Sequence, residues 1–287
     1  MSLHPQRLVY WVAMGCSLFF LSGCISLDGQ EHSHQAQDLA LASHWQELNV
    51  HTSTYDLSAY LSPQKSDDGV LTIYIEGDGS SWVHGEFPSS DPTPKDPIGL
   101  RLALAHPQGA AAYLSRPCQF IGLENPLVCN FKVWTSERFS QKVIDSINQA
   151  IDQLKSRAQA QSLILVGYSG GAAVVLLAAS QRHDVQSIIS VAGNVSPQVW
   201  AKALALEPLD GSLDPRNVMI KLTSIPQIYL VGAKDRVVPL DLTTAFIAQL
   251  PTDSMVELFE IPKNGHVCCW VEQWPLLWTT LIKPKHQ

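Results

Sequence analysis

The pentapeptide Gly167-Tyr168-Ser169-Gly170-Gly171 is the first feature of this chain that carries chemistry. It matches G-x-S-x-G, a pattern that offers a serine hydroxyl as nucleophile to a carbonyl carbon. Glycine and serine are common enough that the pattern alone means little. Its surroundings give it weight. Residues 162–166 (Ser-Leu-Ile-Leu-Val) form an unbroken apolar run, and residues 172–180 are small and helix-forming. A serine between them sits on a sharp strand-to-helix turn, which small neighbours at Gly167 and Gly171 allow to close. The hydroxyl then projects at the carboxyl edge of a sheet. There a helix N-terminus, with its dipole and free N–H groups, favours a developing oxyanion.

Other elements must hold that turn in place. Residues 46–60 alternate loosely and predict a leading hairpin or edge strands. Residues 70–76 (Val-Leu-Thr-Ile-Tyr-Ile-Glu) predict a buried strand entering the tight loop Gly77-Asp78-Gly79. The Pro-, Ser- and Asp-rich stretch 84–97 predicts a loop, 100–106 a short helix and 109–120 a strand. Val143, Ile144, Ile147, Ile151 and Leu154 share one face of a helix over 140–154. Further strands are expected at 185–192, 227–231 and 255–261, and helices at 242–250 and 269–282. Strands alternating with helices imply an α/β fold, a mainly parallel central sheet with helices on both faces. The irregular stretch 194–224 is too long for an ordinary connection and predicts a small cap insertion. Trp270, Trp274 and Trp278 recur every four residues and are expected on the core face of the last helix rather than at a membrane. Arg138 is expected to pair with a carboxylate of the protein rather than with substrate.

With strand, sharp turn and helix in this order, residues 46–282 resemble the α/β-hydrolase superfamily. The resemblance implies a triad in the order nucleophile, acid, histidine, and two further segments fit it. Asp235 lies in Val231-Gly232-Ala233-Lys234-Asp235-Arg236-Val237-Val238-Pro239, similar to the G-x-x-D-x-x-V-P segment where the family places its acid. His266 lies in Lys263-Asn264-Gly265-His266, similar to the family's G-H before the closing helix. The implied roles are Ser169 as nucleophile, His266 as general base and then acid, and Asp235 as holder of the imidazole tautomer. The backbone N–H of Gly170 would be one oxyanion donor. The second would come from Asp78 or Gly79, in the loop after residues 70–76. The family usually carries His-Gly there, whereas this chain has Glu76-Gly77-Asp78-Gly79. Carboxylates beside an oxyanion are unfavourable unless they point away or are paired, so this loop is the main departure from the pattern. No cofactor and no metal are implied.

The N-terminus indicates where such chemistry would take place. Residues 8–23 are almost unbroken apolar sequence, the length of a signal-peptide core and short of the roughly 20 residues of a membrane span. They end in Leu21-Ser22-Gly23-Cys24, which resembles the bacterial lipobox. On this reading residues 1–23 are a lipoprotein signal peptide and Cys24 is lipidated. Residues 24–44 are then a flexible tether to a hydrolase domain over 45–287. His32 and His34 have no further ligands nearby and belong to the tether rather than to a metal site. Ile25 follows Cys24 where many Gram-negative lipoproteins carry an inner-membrane retention aspartate. In a Gram-negative source, the expected location is therefore the outer membrane, facing the periplasm.

Export implies an oxidising compartment. With Cys16 and Cys24 set aside, four cysteines remain. Cys118 and Cys129 close a short loop and predict a disulfide. Cys268 and Cys269 either bridge each other or pair elsewhere. Zinc is disfavoured because no Cys-x-x-Cys spacing occurs. At 287 residues, 46% hydrophobic and 16% charged, the chain suits a globular enzyme and not extended disorder. A net charge of −7 without a basic run disfavours nucleic-acid binding.

The expected function is therefore a membrane-anchored serine hydrolase that cleaves carboxylic ester or thioester bonds through an acyl-enzyme. Lipase, phospholipase or acyltransferase action is the alternative, followed by a peptidase and by a non-catalytic envelope lipoprotein. The expected partners are a small-molecule or lipid acyl ester and the membrane that holds Cys24. The cap and the 80–99 loop would set specificity, and neither carries a recognisable signature.

Overall fold

A computed structural model describes residues 27–123, 125 and 127–282. The apolar leader and Cys24 lie outside the described residues. Eight strands form one sheet: β1 (Gln46–His51), β2 (Asp56–Leu61), β3 (Val70–Ile75), β4 (Ala110–Leu114), β5 (Ser162–Tyr168), β6 (Val185–Val191), β7 (Gln227–Gly232) and β8 (Val256–Ile261). They lie in the order β1-β2-β4-β3-β5-β6-β7-β8. β2 runs antiparallel to β1 and β4, and every other neighbouring pair is parallel. The expected mainly parallel sheet is thus the one observed.

The two-residue period of a strand divides the core. Leu71, Ile73 and Ile75 of β3 and Leu163 and Leu165 of β5 face one cluster, while Tyr74, Ile164, Val166 and Tyr168 face the other. Parallel strands buried on both faces must read as continuous apolar runs, and these do. Helices cover both clusters: α1 (Leu27–Ala42), α2 (Ile98–Leu104), α3 (Gln141–Arg157), α4 (Gly170–Ala179), α5 (Pro197–Ala203), α6 (Met219–Leu222), α7 (Leu240–Ile247) and α8 (Trp270–Leu277). The α3 face expected from periodicity is fully buried against the first cluster. Trp270, Trp274 and Trp278 are buried in the second, which settles them as core residues.

Three expectations are corrected. Residues 24–44 were expected to be a flexible tether, yet residues 27–42 form α1. Ala36 and Ala40, one turn apart, are fully buried in the second cluster, and this small-residue seam replaces the large apolar stripe that a helix usually shows. The strand expected over 109–120 stops at Leu114. Pro117 cannot donate to a ladder, and Cys118 and Phe120 take left-handed backbone conformations that turn the chain back toward the sheet edge. The final helix keeps α-geometry only to Leu277, and a wider turn continues over Trp278–Ile282. The stretch 194–224 folds as α5, a short 3₁₀ turn (Pro215–Val218) and α6, and puts Val195, Ala201 and Leu222 into the core.

Both cysteine pairs are bridged. Cys118 and Cys129 form a disulfide with Cα atoms 5.6 Å apart, and Cys268 bonds Cys269. In the second cluster, Trp274 donates to the Tyr74 hydroxyl (2.9 Å), which reaches His106 Nδ1 at 2.7 Å. Burial pushes the His106 imidazole down to about 4. The unfolded chain takes up this proton near pH 6.5, so the contribution is complete above that pH and fades as the pH falls toward 4. Between pH 7.5 and pH 5.0 the loss is expected to be about 2 kcal/mol. Urea unfolding at the two pH values should show it, and His106→Gln should flatten this limb.

Candidate active site

Ser169 joins β5 to α4 with φ 51° and ψ −121°, a region a side-chain-bearing residue occupies only when its surroundings hold it there. The holding is visible. Its N–H donates to the carbonyl of Val191 (3.0 Å), and its carbonyl accepts from Ala172 (3.0 Å) and Asn194 (2.9 Å). The glycines around it are required by contact. A Cβ on Gly167 would lie 2.4 Å from the Gly171 carbonyl oxygen, and one on Gly171 would lie 2.4 Å from that of Ile75. Helix α4 therefore presses directly against β3 and β5, and its first turn points N–H groups at the serine.

The other two expected residues converge on this hydroxyl from separate loops. His266 Nε2 lies 3.0 Å from Ser169 Oγ, and His266 Nδ1 lies 2.9 Å from Asp235 Oδ2. A carboxylate only accepts, so Nδ1 carries the proton and Nε2 is left to accept from the serine. Asp235 follows β7 and is fixed by its own loop, its Oδ1 accepting from Val237 N–H (2.8 Å) and Val238 N–H (2.9 Å). Its side chain has no solvent exposure, whereas Asp241 lies in the first turn of α7. The carbonyl of His266 accepts from Tyr168 Oη (3.2 Å) and from Trp270 Nε1 (3.1 Å). The first tryptophan of the buried stripe thus clamps the histidine loop, a role its spacing does not announce.

The acidic loop after β3 is neutralised. Asp78 receives Arg138 Nη1 at 2.7 Å and Arg116 Nη1 at 3.1 Å, and Arg116 also donates to the Arg138 carbonyl. Burial would raise the Asp78 carboxyl, but the guanidiniums of Arg138 and Arg116 outweigh it and hold the group below its usual value. Arg138 makes the structural pairing expected of it. Arg116 was not anticipated, and its only sequence signal is a cation two residues after the buried strand β4. Glu76 points away from the serine, toward the start of α2. It accepts from the N–H groups of Gly77 (2.9 Å), Gly99 (3.1 Å) and Leu100 (3.3 Å) and from Tyr113 Oη (3.2 Å). Burial nevertheless raises its carboxyl above the ordinary range.

This pairing bears on the oxyanion donors. Gly170 leads α4, so its N–H has no partner within the helix. The Gly77 N–H is taken by Glu76, which leaves Asp78 and Gly79 on the facing loop. That loop is close enough that a Cβ on Gly170 would sit 2.0 Å from Asp78 Oδ1. Ser169 and His266 open into a cleft of about 760 Å³ whose walls include Gly79, Trp82, Arg138, Trp200, Val237 and Val267. Trp200 is oriented by donating from Nε1 to the Val237 carbonyl (2.7 Å). A carbonyl carbon admitted to this cleft would meet a hydroxyl, a base and amide donors together. Cys118 and Cys129 lie outside the cleft and tie down the turn that carries Arg116.

No protein-family model and no curated protein sequence matches the chain. Solved structures do. An esterase of Pyrococcus furiosus aligns over 85% of this chain and 89% of its own, with a TM-score of 0.58 and 14% identity. An α/β serine hydrolase homologue from Coxiella burnetii aligns over 84% and 97%, with a TM-score of 0.55 and 16% identity. A lidless α/β serine hydrolase of Xanthomonas campestris aligns over 82% and 92%, with a TM-score of 0.52 and 14% identity. The chain has the α/β-hydrolase fold.

Proposed function

We propose that this protein is a serine hydrolase that cleaves carboxylic ester or thioester bonds through an acyl-enzyme on Ser169, His266 and Asp235. The observation that carries the reading is the unbroken hydrogen-bonded chain from Asp235 Oδ2 through the imidazole to Ser169 Oγ, ending on a serine held at positive φ. Esterases and serine hydrolases among the structures of like fold support it.

His266 takes the hydroxyl proton as Oγ attacks the carbonyl carbon, and Asp235 stabilises the imidazolium. The tetrahedral oxyanion is received by the N–H groups of Gly170 and of Asp78 or Gly79. When it collapses, the bond to the leaving oxygen or sulfur breaks and His266 returns its proton to that atom. Water then enters, loses a proton to His266 and releases the acid, restoring the serine. The lipobox-like leader adds that the enzyme is exported and attached through Cys24, at the periplasmic face of the outer membrane in a Gram-negative source.

A fluorophosphonate tests the assignment directly. Incubation with the folded protein should modify Ser169 alone, as read by intact mass and peptide mapping. A folded protein that stays unmodified would sink the reading.

A further inference from the structure

The start of α1 and the mouth of the cleft lie on the same side of the molecule. A Cβ on Gly29 would fall 1.8 Å from Asp91 Oδ2, so the first turn of α1 rests against the loop that follows the hairpin Trp82–Val83/Phe87–Pro88. That loop is tied to the cleft wall. Ser80 N–H donates to the Pro92 carbonyl (2.9 Å) and Ser89 N–H to the Ser81 carbonyl (3.0 Å), and Ser80 and Ser81 line the cleft. Gly29 stands five residues after Cys24, a reach of at most about 18 Å for an extended chain. A membrane that holds Cys24 therefore lies within about that reach of Gly29, which rests on the loop carrying Asp91.

The rim of that mouth carries uncovered apolar side chains, with the exposed carboxylates of Glu86 and Glu207 set between them. Phe87 is 66% exposed and Val83 44% on the hairpin, while Leu204 and Leu206 are each 41% exposed beyond α5. A side pocket of about 350 Å³ links the two groups, with Trp82 on one wall and Leu206 on the other. Large apolar side chains clustered around one opening mark an interaction surface, and a bilayer boundary receives such chains together with tryptophan.

We infer that the hairpin and the Leu204–Leu206 turn form a collar that dips into the bilayer holding the Cys24 lipid. The Ser169 cleft then opens onto that membrane and takes its acyl groups from lipid esters. This rests on the acyl-enzyme reading and on lipidation of Cys24, and it adds orientation and substrate class to both. A chain anchored a few residues from its own active-site rim samples the membrane surface at high effective concentration.

The test uses the full lipidated chain reconstituted in phosphatidylethanolamine/phosphatidylglycerol vesicles. An environment-sensitive nitrobenzoxadiazole probe is placed on Phe87→Cys or, as control, on Met255→Cys, which is 49% exposed and precedes β8 at the opposite sheet edge. The probe at 87 should shift to the blue and be quenched by nitroxide lipids, and the probe at 255 should report water. A probe at 87 that stays in water while the protein remains in the vesicle fraction overturns the collar and leaves the anchor standing. Release of the protein from vesicles overturns both. Phe87→Asp should lower hydrolysis of a vesicle-embedded lipid ester about tenfold or more and leave a soluble butyrate ester unaffected. Equal loss on both substrates, or on neither, overturns the lipid-ester assignment. A parent protein inactive on both, with the probe at 87 buried, sinks the hydrolase reading and supports the collar.

Discussion

Replacing Ser169 or His266 by alanine is expected to lower turnover of an activated ester by roughly four to six orders of magnitude, with the fold intact. In the proposed mechanism the two groups act as one unit, because the hydroxyl would be a nucleophile only while Nε2, 3.0 Å away, accepts its proton. The double variant should therefore be little worse than either single one. Asp235→Asn should cost about four orders of magnitude, since an amide facing Nδ1 favours the wrong tautomer. Asp241→Asn should change turnover by less than about twofold, because that residue is exposed in the first turn of α7 and it is Asp235 that meets Nδ1. Steady-state kinetics with circular dichroism as a folding control decides the matter. A fall below tenfold for His266→Ala would remove it from the role of base.

The second large effect is expected at Asp78. Its carboxylate compensates two guanidiniums whose side chains are only 5% and 6% exposed. Removing one partner of a buried ionic cluster leaves uncompensated charge, and Asp78→Ala is expected to destabilise the protein by about 3–5 kcal/mol. The same change frees the loop that faces Gly170, so kcat should fall while KM for a short ester holds. Asp78→Asn keeps the shape and removes the charge, and should lose less stability than the alanine variant. Urea unfolding and kinetics on both variants separate these effects. A stability change under about 1 kcal/mol with unchanged kcat would mean that the cluster neither supports the fold nor shapes the oxyanion loop.

Much of this was legible along the chain because the relevant physics is local. The runs at 70–76 and 162–166 had to be buried strands, and a serine flanked by glycines between strand and helix had to turn sharply. Other features were hidden because their partners are distant in sequence. Asp78 looked unfavourable beside an oxyanion until Arg116 and Arg138, 38 and 60 residues away, were seen to neutralise it. Glu76 looked the same until its carboxylate proved to cap the start of α2. Helix α1 escaped notice because two alanines, not large residues, make its contact.

The amino-acid order by itself thus determined the strand and helix periods, the strained serine turn, and the succession of Ser169, Asp235 and His266. These follow from side-chain size, polarity and spacing within short segments. Only the tertiary structure decided that the three groups lie within hydrogen-bond reach, which loop carboxylates are paired, and that α1 begins beside the rim of the cleft. Those are long-range facts, set by how the sheet brings remote loops to one edge, and no local pattern encodes them.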